Sequence, residues 1–431
     1  MKKEISLIKF LFVLLDIFLF FLALNLALAF RFGLNYSIYL QEHILPFLFL
    51  LPFYVFLLFT FNLYDFYLLN LKILLQRIFY FFLLALILSV IYFYFGQTIF
   101  KISPKTNLLI FLFSFLLLLF ISRHLILKIF QKRKITVYFL GDENLKNKLE
   151  TDLKNHPFFI FKEISGHNMP RILKGENNSY VILVIAPHYH LKPNDFQEIL
   201  KEEITIFDFV DFYEKFLGRI PLEAIDSDWL IREIASGKSN FYFYFKRGID
   251  VIVSVFLLLF LFLPLFLPIA FLIYLSDPGP IFFTQPRVGY KRQIFKLIKF
   301  RTMRQEKEEH GKWAVGSEEK RIFFIGKILR KTHLDELPQI FNILKGELTL
   351  VGPRPEQPKI FEDLEKEIPF YELRALVLPG FTGWAQVNYK YPENIEETKI
   401  KLEYDLYYLK NNNLFLDFLI IIKTFHKLLT F

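Results

Sequence analysis

IDVIVSVFLLLFLFLPLFLPIAFLIYL, running from Ile249 to Leu275, is apolar throughout apart from Asp250 near its start, and it is long enough to cross a bilayer as a helix. A helix that spans would place everything after Leu275 on the far side of the membrane. Two features oppose this. Pro264 and Pro268 lie inside the segment, where each removes a helical hydrogen bond and favours a kink. Basic residues also flank both ends, with Lys246 and Arg247 before and Arg287, Lys291, Arg292, Lys296, Lys299 and Arg301 after. Positive charge on both flanks fits a helix that enters one leaflet and returns. The expectation is a re-entrant helix over about 247–276, broken at its prolines.

The composition agrees with membrane residence. Of 431 residues, 56 are Phe and 22 Tyr, the hydrophobic fraction is 54% and mean hydropathy is positive, which excludes a disordered or collagen-like chain. Lys and Arg exceed Asp and Glu by 52 to 43, a balance that suits anionic lipid, nucleotide or phosphate. The absence of cysteine excludes disulfides, thiolate metal sites and a cysteine nucleophile.

Upstream, four stretches have about the length of a membrane span: Leu11 to Phe30, Ile44 to Phe61, Ile78 to Phe95 and Leu108 to Ile121. Their number argues against a cleaved signal peptide. Lys2, Lys3 and Lys9, then Lys72 and Arg77, then Lys128, Lys132, Arg133 and Lys134 fall on one side, against Arg31, Lys101 and Lys105 on the other. The positive-inside rule therefore puts both ends of this bundle in the cytoplasm. Asp16 lies within the first span and is expected to pair inside the bundle or snorkel.

Between Ile135 and Phe245 the pattern alternates. ITVYFL (Ile135 to Leu140) and YVILVIAP (Tyr180 to Pro187) read as buried strands, and Glu143 to Asn155 and Asp195 to Glu203 as helices, which argues for a small α/β domain with a mostly parallel sheet. A dinucleotide-binding fold would place GxGxxG after the first strand, where the chain has GDENLK from Gly141. This opposes a membrane-anchored nucleotide-sugar dehydratase, which needs that loop and a YxxxK pair. The YxxxK present, Tyr242 to Lys246, sits in the aromatic run FYFYFK and reads as coincidence. The middle domain is expected to be structural or regulatory.

Chemistry concentrates between Pro278 and Pro355: PGPIFFTQPRVG, FKLIKFRTM (Phe295 to Met303), LRKTHLDELPQIFNILKG (Leu329 to Gly346) and LTLVGPRP (Leu348 to Pro355). Asp335 and Glu336 are adjacent carboxylates after a basic stretch, and Arg354 is held between Pro353 and Pro355. Opening a nucleotide diphosphate takes a nucleophile, neutralisation of phosphate charge and usually a divalent cation on oxygen ligands. These residues supply all three.

The KFRTM, LDELPQ and GPRP blocks, in this order, resemble the bacterial sugar transferases, and the whole architecture is similar to their large monotopic form, a polyprenyl-phosphate glycosyl-1-phosphate transferase. The resemblance implies four N-terminal transmembrane helices over 1–134, a Rossmann-like α/β domain over 135–245 and a mainly α-helical monotopic catalytic domain over 246–431. It implies that Asp335 attacks the β-phosphate of a UDP-sugar, forming an aspartyl phosphosugar and releasing UMP, and that polyprenyl (undecaprenyl) phosphate then takes the sugar phosphate. Glu336 would bind Mg²⁺ with Asp335 or handle a proton. Lys299, Arg301, Arg330 and Arg354 would recognise phosphate, Pro353, Arg354 and Pro355 would shape the nucleotide pocket, and Pro264 would break the re-entrant helix. Implied partners are the lipid bilayer and a second copy of the chain, and nucleic acid is not among them. The implied location is the bacterial cytoplasmic membrane, with the catalytic domain on its cytoplasmic face.

Three positions depart from the family pattern: Leu263 where a small serine is common, His333 where serine is usual, and Leu378 where a basic residue is common. The other readings are the dehydratase and a membrane scaffold that has lost turnover. The joint presence of Arg330, Asp335, Glu336 and Arg354 opposes the scaffold. No motif separates glucose, galactose or an N-acetylated sugar.

Overall fold

The computed structural model of the chain describes residues 2–61, 63–64, 71–100, 105–130, 135–154, 156, 159–163, 181–189, 193, 197, 199, 204–235, 240–304 and 321–429. It divides into two compact units, Met1–Phe209 and Val210–Phe431.

The first unit opens with four long helices: α1 (Lys2–Phe32), α2 (Tyr36–Thr60), α3 (Leu71–Phe100) and α4 (Lys105–Phe130). Each contains a stretch long and apolar enough to cross a membrane. Phe20 of α1 is fully buried, and its ring meets Phe111 and Phe115 of α4 and Tyr54 of α2 edge-on at 4.9, 5.7 and 5.4 Å. Buried Ala23 and Ala27 let α1 approach α4 closely, as small residues do where helices meet in lipid. Asp16 does pair within the bundle: Arg123 Nη2 of α4 donates to its Oδ2 at 2.5 Å, and both side chains are buried.

The sheet that follows has four strands, β1 (Ile135–Leu140), β2 (Phe159–Glu163), β3 (Val181–Ile185) and β4 (Thr205–Asp208), all parallel and ordered β2-β1-β3-β4. Helix α5 (Glu143–Leu153) follows β1 and is capped by Asp142, whose Oδ1 accepts from Leu145 N at 2.9 Å. The acidic cap takes up one of the backbone donors at this helix start and puts negative charge where a phosphate would sit. A Cβ on Gly141 would come within 2.3 Å of the Ala186 side chain, so this glycine serves close packing. The expected helix over Asp195 to Glu203 lies mostly outside the described residues, as does Tyr180.

In the second unit the apolar segment forms α6 (Asn240–Leu257), a π-helical turn (Leu258–Phe262) and α7 (Leu263–Ser276). The π turn lies just ahead of Pro264, and Leu257, Phe262 and Leu263 all keep right-handed helical dihedrals. A π turn absorbs the missing proline N–H within a helical path. Phe262, Ile269 and Ile273 pack on Phe300, Phe323, Leu329, Leu337 and Ile340, while Ile252, Phe260 and Leu267 on the other face stay exposed.

Polar contacts tie both ends of this helix to one domain. At the start, Arg247 Nη1 and Nη2 donate to the Ile343 and Leu344 carbonyls at 2.5 and 2.8 Å, and the Asp250 carboxylate accepts from Thr349 Oγ1 at 2.6 Å and Leu350 N at 3.1 Å. At the end, Arg301 Nη1 donates to Asp277 Oδ2 at 2.9 Å.

The remaining elements build the site. Strands β5 (Phe282–Val288) and β6 (Ile294–Phe300) form an antiparallel hairpin. Then come α8 (Phe324–Lys331), a 3-10 turn (Leu334–Gln339), α9 (Ile340–Lys345), β7 (Thr349–Val351), α10 (Pro358–Glu367), and β8 (Gly380–Thr382), which pairs parallel with β7. Helices α11 (Ile395–Asn411) and α12 (Leu414–Leu429) close the chain. The segment from Val210 belongs to this unit. Arg219 Nη1 donates to Glu403 Oε2 at 3.0 Å and Trp384 Nε1 to the Gly218 carbonyl at 2.7 Å.

Candidate active site

Helix α8 is short, and what ends it sets the site. His333 adopts a left-handed conformation (φ 54°, ψ 16°), turning the chain out of α8 and into the 3-10 turn that carries LDELPQ. Among non-glycine residues histidine is one of those enriched there. Side chains of a 3-10 turn step by about 120°, so Asp335 and Glu336 leave the backbone in different directions. Leu337 and Ile340 anchor the turn on the apolar helix through Phe262.

Glu336 is 7% exposed, and two cations share its carboxylate. Lys299 Nζ from β6 donates to Oε1 at 2.6 Å, and Arg354 Nη2 donates to the same oxygen at 2.7 Å. Burial alone would raise the Glu336 carboxyl, but Arg354 and Lys299 outweigh it and hold the group well below the usual carboxylate range. Asp335, 8% exposed, behaves in the opposite way. Burial and then the Glu336 charge push its carboxyl up, opposed by Lys299, Arg330 and His333. Among the described residues, these neighbours act on Asp335 through charge and not through a hydrogen bond.

The structure brings Lys299, Arg330, Asp335, Glu336 and Arg354 together and gives Arg301 a different partner. Arg330 Nε donates to Thr302 Oγ1 at 3.0 Å, and Gly326 of α8 lies so close that a Cβ there would come within 2.2 Å of the Thr302 carbonyl. Arg301 turns to Asp277, contacting its carboxylate and its backbone carbonyl.

The GPRP loop is held backbone to backbone. Gly352 N donates to the Thr382 carbonyl at 2.8 Å and Gly380 N to the Pro353 carbonyl at 2.9 Å. A Cβ on Gly380 would meet Gly352 N at 2.0 Å, so side chains cannot intervene where the GPRP block crosses the stretch Pro379 to Trp384. Pro355 contributes its carbonyl, which accepts from Arg287 Nη1 at 3.0 Å.

Behind the loop lies a network that motif reading missed. Glu356 accepts from Lys401 Nζ at 2.7 Å and lies 3.5 Å from Arg374 Nη1 and 3.9 Å from Arg287 Nη1. Burial would raise its carboxyl, but Lys401, Arg374 and Arg287 bring it down to about 2. Arg287 was visible in QPRVG, whereas Arg374, Lys401 and Asp405 sit in unremarkable helical sequence. Tyr242 and Lys246, whose spacing read as coincidence, meet on Asp417 of α12, with Tyr242 Oη and Lys246 Nζ 2.8 and 2.6 Å from its Oδ2. Their role is to join α6 to α12.

Among the described residues, no three histidine, cysteine or carboxylate side chains gather into a complete metal cage. Asp335 and Glu336 are neighbours in sequence and each carries oxygen donors, with Glu336 Oε1 already accepting from Lys299 and Arg354. Mg²⁺ is commonly held by one or two carboxylates together with substrate phosphates and water, so this pair fits an ion shared with a diphosphate.

The model of the family described as bacterial sugar transferase matches residues 241–431. A Bacillus subtilis protein named uncharacterized sugar transferase EpsL is 38% identical over 188 residues, which cover 43% of this chain and 87% of that protein. The chain belongs to the bacterial sugar transferase family. Within the family, the UDP-N-acetylgalactosamine-undecaprenyl-phosphate N-acetylgalactosaminephosphotransferase of Aeromonas hydrophila is 41% identical over 227 residues, 53% of each chain. The UDP-glucose:undecaprenyl-phosphate glucose-1-phosphate transferase of Xanthomonas campestris pv. campestris is 39% identical over 198 residues, 45% of this chain and 40% of that one. The chain thus spans about half or less of the length of these two relatives.

Proposed function

We propose that this sugar transferase moves a sugar 1-phosphate from a UDP-sugar to undecaprenyl phosphate and so begins the assembly of a surface polysaccharide or glycoconjugate. The observation that carries the reading is the divergence of two adjacent carboxylates. Glu336 is locked as an anion between Lys299 and Arg354, while Asp335 is poorly stabilised as an anion and has cations within electrostatic range. An anion in that state is a good nucleophile, and the surrounding positive charge suits the phosphates it would attack.

A carboxylate oxygen of Asp335 bonds to the β-phosphorus as the bond to the bridging oxygen breaks, and UMP leaves with that electron pair. A phosphate oxygen of the polyprenyl carrier then attacks the same phosphorus, and the Asp335 carboxylate is released. Lys299, Arg330 and Arg354 neutralise the phosphate oxygens by charge-assisted hydrogen bonds. Pro353 and Pro355 restrain the backbone on either side of Arg354. Mg²⁺, held by Asp335 and Glu336 with the diphosphate, would supply further neutralisation of phosphate charge. Arg301 is paired with Asp277 at the end of the apolar helix, and its expected contact with phosphate stays part of the proposal.

The three-part organisation, 1–134, 135–245 and 246–431, is kept as a functional division, with 210–245 packed on the catalytic part. In this reading the apolar helix re-enters. What supports it is that Arg247 and Asp250 at one end and Asp277 at the other bind the same polar domain, an arrangement that disfavours a crossing of about 30 Å of hydrocarbon between them. The positive-inside pattern supports the cytoplasmic face for this domain. Dimerisation remains part of the proposal through the family likeness.

The test is UMP release by detergent-solubilised protein from a panel of UDP-sugars with Mg²⁺ and undecaprenyl phosphate, beside Asp335→Asn. Lipid-dependent release that disappears in the variant supports the reading and names the sugar. Equal release from the variant, or none from the wild type with any sugar, removes it.

A further inference from the structure

We propose that Arg374 is a positioning residue that fixes the GPRP loop from behind, so that Arg354 reaches Glu336 and the substrate phosphates. This rests on the transferase reading above. Arg374 lies in the 3-10 turn Tyr371–Leu376, entered through Phe370 in a left-handed conformation, and its side chain is 4% exposed. Its guanidinium meets four groups. Nη1 donates to Tyr371 Oη at 2.6 Å and lies 3.5 Å from Glu356 Oε1, while Nη2 donates to Asp405 Oδ2 at 2.8 Å and to the Arg354 backbone carbonyl at 3.0 Å.

That last bond connects the network to the chemistry. Pro353 and Pro355 restrict rotation on both sides of Arg354, so a peptide carbonyl pinned between them sets the direction in which the side chain leaves. The Arg354 side chain remains 34% exposed and ends on Glu336, whereas Arg374 is buried and touches neither carboxylate of the catalytic pair among the described residues. Asp405, fixed on α11, and Tyr371 hold the guanidinium plane. A planar fork with fixed donors can bridge a carboxylate, a phenol and a carbonyl at once, and the single ammonium of lysine cannot reproduce that geometry.

The experiment uses full-length protein in detergent with Arg374→Lys, which keeps the charge and loses the fork. Amide exchange read without substrate is expected to quicken in 352–357 while the thermal midpoint stays near that of the wild type. Turnover in UMP release is expected to fall roughly 10- to 100-fold, the scale of a small misplacement of catalytic groups, with less change in KM for the UDP-sugar. On an Arg354→Ala background the same change should add almost nothing, because the residue it positions is gone. Tyr371→Phe, which removes one hydroxyl, should move exchange in the same direction by less and serves if Arg374→Lys does not fold. Unchanged exchange in 352–357, or an equal loss of turnover on both backgrounds, overturns the proposal and leaves the transferase reading intact. Exchange does not depend on catalysis, so failure of UMP release in the wild type would remove the transferase reading separately.

Discussion

The membrane bundle and the catalytic domain each bury carboxylate against arginine, and they do so to different ends. Asp16 and Arg123 form a one-to-one pair, both fully buried among apolar helices, with Arg123 Nε also donating to the Leu63 carbonyl at 3.1 Å. Glu336 is shared by Lys299 and Arg354, and Asp335 beside it has cations nearby but no donor of its own among the described residues. A one-to-one pair cancels its own field and specifies helix register. The catalytic-domain cluster instead sets two adjacent carboxylates apart, one held low by Arg354 and Lys299 and the other pushed up by burial and by its neighbour's charge. Residue type alone does not tell these two kinds of buried charge apart; the local balance does.

The sharpest way to break this comparison is Asp335→Asn. Loss of a covalent nucleophile should lower UMP release by roughly 10⁴- to 10⁶-fold while leaving the fold intact. A variant that turns over within tenfold of the wild type would move Asp335 to the structural side. Next in size, Asp16→Ala strands Arg123 in the bundle, and breaking a buried pair on one side costs about 3–5 kcal/mol. The measurement is denaturant or thermal unfolding in detergent, and a loss below about 1 kcal/mol, the range of exposed pairs, would mean that Arg123 finds water or another partner.

Arg354→Ala should then cost about 10²- to 10³-fold in turnover, the usual effect of removing one preorganised donor. If KM for the UDP-sugar rises and turnover does not fall, Arg354 binds the ground state only. The smallest effect is a displacement on the pH axis. Asp335 must be ionised to attack, and its raised carboxyl puts the acid limb of the rate profile above the ordinary aspartate range. Glu336→Gln removes one of the charges that raise it and leaves Lys299, Arg330 and His333 to lower it, so the limb should move to lower pH. A limb that moves upward contradicts this account. In stability the two carboxylates have opposite signs. Glu336, held low, contributes stability that is present above the pKa of an unfolded glutamate and is lost as pH falls toward its folded value. Asp335, held high, weakens the fold above the unfolded aspartate value and is relieved as pH falls.

Much of the site was legible as motif. Lys299, Arg330, Asp335, Glu336 and Arg354 could be picked out because phosphate chemistry needs cations and a carboxylate nucleophile, and the structure does gather them. Arg301 could not be told from Lys299 by the same logic. The two are separated by one residue in KFRTM, yet Lys299 reaches Glu336 and Arg301 reaches Asp277. The pair Tyr242 and Lys246 carried a misleading signature, since the spacing that places both on one helical face serves a structural carboxylate as readily as a cofactor.

By itself the sequence determined which segments are long and apolar enough to meet the membrane, because hydropathy is a local property. It also determined the elements of the middle sheet that rest on continuous apolar runs, β1 and β3. The tertiary structure alone decided which carboxylate is held as an anion and which is destabilised, because that depends on charges brought from Lys299 and Arg354, 37 and 18 residues away. It likewise decided that Asp405 and Arg374 stand behind the GPRP loop. Their side chains acquire that role through burial and hydrogen bonds made across the fold, and such contacts leave no pattern along the chain.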